Sequence, residues 1–229
     1  ALGVLWAILQ PVLTMVVFTI VFSKFGKIPS DGQPYPIFTF VALLPWQLFA
    51  YSLTHSSQSL VAEARVITKV YFPRLIIPIS SVVAGLVDFG IALGILFILM
   101  LWYGTPLTTN LLFLPAFTFT ALLSALAIGL WISALNVKYR DVRYIVPFVT
   151  QLWLFISPVA YSSNMVPERW QWLYGLNPMA GVIEGFRWSF LGTSPPISTI
   201  YASVAIMFVL FVGGLYYFRT AEKMFADLI

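Results

Sequence analysis

The sequence predicts an all-α integral membrane bundle of six transmembrane helices, with short re-entrant or interfacial helices between the fifth and sixth. Three observations predict it. Only 20 of 229 residues are charged, or 9%, against roughly 25% in a soluble domain. Hydrophobic residues make up 60% of the chain, and mean hydropathy is +0.93. A globule this size could not cover itself with so few charges. The charges also divide the chain into uncharged runs near the 20 residues needed to cross about 30 Å of hydrocarbon.

The expected spans fall at residues 2–22, 35–57, 75–103, 111–135, 144–161 and 197–218, within one domain over 1–229. The runs are too long for strands, and none alternates apolar and polar residues as a barrel strand must. The first opens without a basic region, and no small-residue cleavage site follows it, so it reads as a span rather than a signal peptide. The second contains Pro45, and the third contains one acid, Asp88. The loop at 24–36 carries Gly26, Pro29, Gly32 and Pro34 and reads as turns. The connection at 162–196 holds Trp170, Trp172, Tyr174, Phe186 and Trp188, interrupted by Asn177-Pro178 and Pro195-Pro196. Trp and Tyr prefer the membrane interface, so short helices in the outer leaflet are expected there, with a plain aromatic belt as the alternative.

Orientation follows from loop cations. The 2–3 loop, the 4–5 loop and the C-terminal segment together hold eight Lys and Arg, and the opposite loops hold four. The richer side is expected to be cytoplasmic, with both termini inside. The net charge of +4 is therefore read as loop bias rather than as a nucleic-acid surface.

Glu63–Arg74, EARVITKVYFPR, mixes Glu63, Arg65, Lys69 and Arg74 with Val66, Ile67, Val70 and Phe72. An amphipathic helix along the membrane face is expected. It serves either a topological role or the docking of a cytoplasmic partner. Lys138–Arg143, with Arg140 and Asp141, is either a positive-inside turn or a second contact. Asp88 is costly in mid-span and should face the bundle interior or water, for hydrogen bonding or for transport. Glu184 and Arg187 can share a helix face, as a surface pair or as a semi-buried outer gate.

Trp6, Gln10, Thr14, Phe18 and Phe22 recur every four residues in the first span, and Gln151 and Phe155, with Phe148 three before, make a similar stripe in the fifth. Gln47, Tyr51, Thr54 and Gln58 do so in the second. Rings with amides and hydroxyls suit a sugar chain, and the competing reading is interhelical hydrogen bonding. Together the stripes read as a path lining. Ala121, Ala125, Gly129 and Ser133, and the pair Gly90 and Gly94, permit close helix packing. Catalytic and metal constellations are not found. There is no Cys and one His, His55, and no nucleophile-elbow or P-loop motif occurs.

LGVLWAILQP at 2–11, KVYFPR at 69–74, NVKYRD at 136–141, SPVAY at 157–161, Asn177-Pro178-Met179 with Glu184, Phe186 and Arg187, and the terminal YFRTAEKMFADLI follow in order. In this the chain resembles the ABC-2 type permeases that export polysaccharide and polyol phosphate, including O-antigen, capsule and teichoic acid. The resemblance implies a bundle of two copies in the bacterial inner membrane. It also implies a separate cytoplasmic ABC ATPase, in two copies, that supplies ATP and Mg chemistry while this chain holds no cofactor and catalyses nothing. The substrate would be a lipid-linked glycan. The segment before Phe72-Pro73-Arg74 corresponds to the family's coupling region, 177–187 to short re-entrant helices at the exit, and the first and fifth spans to the path. An amphipathic segment is expected upstream of Ala1. A permease for small lipids or drugs, and a membrane-embedded glycan-processing enzyme, remain as alternatives.

Overall fold

The computed structural model describes residues 2–70, 72–194 and 197–228, and side chains throughout these except at 2, 4, 168 and 224–228. Tyr71 of the KVYFPR run, Pro195-Pro196 and the final Ile229 lie outside the described residues. Every regular element described is helical. Five helices are long and apolar enough to cross a membrane.

Helix α1 (Leu2–Phe18) runs into a π-helical stretch at Thr19–Phe25. Pro11 lies inside it and deprives the Ala7 carbonyl of its helical donor. Helix α2 (Tyr35–Ala62) is the buried axis of the bundle. One turn, α3 (Ala64–Ile67), follows it. The longer amphipathic helix expected over 63–74 does not form. Val66, Ile67 and Val70 are β-branched and weak helix formers, Thr68 turns its hydroxyl back onto the Ala64 and Arg65 carbonyls, and Pro73 ends the run.

The third span is two helices, α4 (Ile76–Ala84) and α5 (Leu86–Tyr103), joined at Gly85. A Cβ at Gly85 would meet the Tyr51 ring and the Ser52 hydroxyl, so glycine lets α2 come close. Ser52 Oγ donates to the Val82 carbonyl at 3.0 Å across that contact. A short 3₁₀ turn (Thr109–Phe113) leads into α6 (Leu114–Lys138). Its expected small-residue stripe is buried, and a Cβ at Gly129 would land on Ser56 of α2. The other small pair, Gly90 and Gly94, packs against nothing among the described residues.

Helix α7 (Val142–Ile156) has 15 residues, about 22 Å at 1.5 Å per residue, and is shorter than the expected span 144–161. It stops because Pro158 biases Ser157 to an extended backbone, and Ser157 sits at φ −82°, ψ 152°. After a 3₁₀ turn (Ser163–Met165) come α8 (Glu168–Gly175) and α9 (Pro178–Leu191). Trp170 and Trp172 on α8 are exposed, as an interfacial helix requires, whereas α9 is buried almost throughout. Gly181 and Gly185 admit Ser203 and Phe117 at distances no side chain would permit. Helix α10 (Ile197–Leu228) closes the bundle against α6, where Trp131 Nε1 donates to the Leu210 carbonyl at 3.0 Å.

Candidate functional site: a polar cleft beside the first helix

The stripes of α1 and α2 converge. Gln10 and Thr14 face Gln47, Tyr51, Thr54 and His55 across a cleft of about 370 Å³, walled by Trp46 and by Leu154 of α7. A smaller cavity of about 90 Å³ adjoins it through the shared Gln10, Gln47 and Tyr51, and adds Ala7, Pro11, Gly85 and Asp88. Asp88 lies in the first turn of α5, just past the Gly85 junction with α4. Its side chain is exposed and borders this cavity, with no basic residue beside it among the described lining residues. Thr14 Oγ1 donates to the Gln10 carbonyl at 2.8 Å. His55 stacks on Tyr51 with ring centroids 3.9 Å apart, and its Nδ1 lies 2.9 Å from the Tyr51 carbonyl.

The other expected path residues fall beside the cleft. Trp6 is 61% exposed and Phe155 is 53% exposed. Phe18 is buried, and its ring stacks on Phe155 at 6.5 Å, which joins α1 to α7. Gln151 is exposed on α7 and lines neither cavity. Tyr144, Phe148 and Leu152 continue the exposed face of α7.

The Glu184–Arg187 pair is not a surface contact. Arg187 is 1% exposed and Glu184 is 5% exposed, with Nη1 to Oε1 at 3.1 Å. Arg187 also donates to the carbonyls of Tyr161 and Val159 at 3.1 Å each, and lies over the Phe38 ring. It holds the chain leaving α7 between α9 and α2. Tyr35 Oη adds a bond to the Ala160 carbonyl at 2.6 Å. Asn177 caps α9 through the Met179 N–H at 3.0 Å, accepts from Trp153 Nε1 at 3.1 Å, and donates to Ser157 Oγ at 2.9 Å. Ser203 of α10 bonds the Asn177 carbonyl and the Gly181 N–H. Sequence reasoning marked Asn177-Pro178 as a break and as part of a family motif, without its hydrogen bonds. The signal for the knot was Asn before Pro at a helix start, a capping pattern. Nearby on α8, burial pushes the Tyr174 phenol above its ordinary range, with Tyr161 adding to the effect, so it stays a neutral hydroxyl.

At the other end of the bundle, Glu63, Arg65 and Lys69 are exposed, as are Arg140 and Asp141. Arg74 is partly buried and donates to the Glu222 carbonyl of α10, a tie the sequence did not reveal. It borders a groove of about 380 Å³ with Ile67, Val70, Phe72, Pro73 and Glu222. No group of three or more potential metal ligands occurs among the described residues.

Residues 1–191 match the family model described as ABC-2 type transporter. The chain is 28% identical over 229 residues to an O-antigen export system permease protein RfbA of Klebsiella pneumoniae, covering all of this chain and 88% of the relative. It is 30% identical over 231 residues to the protein of that name from Myxococcus xanthus, again covering all of this chain and 88% of the relative. The polysialic acid transport protein KpsM of Escherichia coli is 25% identical over 230 residues, which cover 97% of this chain and 87% of KpsM.

Proposed function

The chain belongs to the ABC-2 type transporter family, and from that premise we propose that it is the membrane subunit of an ATP-driven exporter of a lipid-linked polysaccharide. O-antigen is the first candidate cargo, because the export permeases named above carry that name over their alignable length. Capsule and teichoic acid are the next. Two copies form the pore in the bacterial inner membrane, with both termini cytoplasmic. Each copy engages a separate ATPase subunit, and ATP and Mg belong to that subunit. The short helix α7 and the turn at 157–161 together make the fifth of six crossings.

The observation that carries this reading is the cleft. Gln10, Thr14, Gln47, Tyr51 and Thr54 come from two helices and converge on open space, where polar groups inside a bundle would otherwise bond across helices. Aromatic rings offer faces to the C–H side of a sugar, and amides and hydroxyls meet its O–H groups. Trp6 and Phe155 extend that chemistry along the exposed faces of α1 and α7. At the cytoplasmic end, the apolar groove at 67–74 receives the ATPase. Exposed Arg65 and Lys69 contact it, with Arg140 and Asp141 beside them. Arg74 couples that groove to α10.

A gentle detergent pull-down of the tagged chain tests the proposal. Recovery of a P-loop ATPase, with hydrolysis stimulated by a lipid-linked oligosaccharide, is expected. Hydrolysis stimulated instead by short-chain lipids or drugs, with no response to the glycan, would replace the cargo. Recovery of the chain without any ATPase would overturn the exporter reading.

A further inference from the structure

We propose that Asp88, Gln10 and Gln47 form an intramembrane subsite that reads sugar hydroxyls and rejects anionic sugars. The proposal rests on the glycan-export reading and makes it more specific. A carboxylate at mid-span is retained at a cost. Asp88 could lower that cost by pairing, yet the ion pair described in this bundle is Glu184–Arg187, on α9. Among the described residues, no Lys, Arg or His lines the cavity that Asp88 faces. The polar residues that line it both accept and donate hydrogen bonds. The carboxylate accepts only. The Ala7 carbonyl lost its helical donor to Pro11. Each glutamine brings one acceptor and two donor hydrogens. Gly85, which borders the same cavity, has no side chain to fill it, and a Cβ there would strike Tyr51.

A ligand for such a set both donates and accepts hydrogen bonds, and beside Asp88 it carries no negative charge. Vicinal hydroxyls meet that description. A carboxylate or phosphate on the sugar would stand against Asp88, and like charges at that spacing repel. The three groups come from α5, α1 and α2, so the subsite reports the spacing of three helices and is sensitive to their movement during transport.

Binding to the full chain in lipid nanodiscs tests this, with two polyprenyl-diphosphate-linked oligosaccharides as probes. One is built of neutral hexoses and the other contains hexuronic acids. Both share the diphosphate, so any difference belongs to the sugar. The native chain is expected to prefer the neutral probe. In Asp88→Asn, which keeps the size and one acceptor, affinity for the uronic probe should rise about tenfold, and affinity for the neutral probe should fall about threefold because a charged acceptor is lost. Gln47→Leu should weaken the neutral probe without admitting the uronic one. Equal affinities of native chain and Asp88→Asn for both probes would overturn the subsite while leaving glycan export standing. Failure of the native chain to bind either probe would overturn both. Asp88→Asn should elute from size-exclusion as the native chain does; a shifted profile together with unchanged relative affinities would assign Asp88 to packing and overturn the subsite.

Discussion

Amides, hydroxyls and a carboxylate occur in two places in this bundle, the knot around α9 and the cleft beside α1. The knot turns them inward. Asn177 bonds α7, α9 and α10 at once, and Arg187 reaches two carbonyls and Glu184. The cleft leaves Gln10, Gln47 and Asp88 facing open space. The same residue types therefore do different work, and what separates them is whether the chain itself supplies the partner. Buried polar groups with partners fix a fold. Polar groups at membrane depth that face a cavity await something from outside the chain.

Substitutions should separate the two regions by their effect on stability. The largest effect is expected at Arg187→Ala, which strands Glu184 in the interior and should cost about 3–5 kcal/mol. Thermal unfolding in detergent checks it, and Glu184→Gln with Arg187→Met should recover most of the loss. Asn177→Ala should cost about 1–3 kcal/mol by leaving the Met179 N–H and Trp153 Nε1 without their acceptor. Trp6→Ala with Phe155→Ala falls on exposed side chains and should lower glycan export in a reconstituted assay while the complex assembles normally. The double variant Arg65→Ala and Lys69→Ala should uncouple hydrolysis from export with stability unchanged, which paired ATPase and transport assays check. The smallest structural effect is expected at Gln47→Ala, within about 0.5 kcal/mol, with export still reduced. Loss of stability at Gln47 matching that at Asn177 would erase the distinction between cleft and knot.

Much of the fold was legible because hydropathy and charge mark spans directly. Five helices long and apolar enough to cross lie where the uncharged runs lie. The fifth run is longer than its helix because Ser157 to Tyr161 is small or apolar and continues the hydropathy, while Pro158 stops the helix. Helix α9, expected as a short re-entrant helix, lies inside the bundle because Gly181 and Gly185 let α10 and Phe117 approach. At the site, periodicity identified the stripes of α1 and α2 one helix at a time. That they face each other, and that Asp88 joins them, depends on how α5 turns at Gly85, which no single-helix pattern encodes. The tie from Arg74 to α10 spans 148 positions in sequence and left no local sign.

The central claim is that the cleft beside α1 is where the glycan runs. The chain contains no Cys, so single cysteines report without background. Thr14→Cys in the cleft should react with a water-soluble maleimide, and a lipid-linked oligosaccharide should slow that reaction. Val209→Cys, on the exposed face of α10, should show no such protection. Protection at 14 and not at 209 is the result the account predicts. Labelling at 14 that the oligosaccharide leaves unchanged would place the path elsewhere.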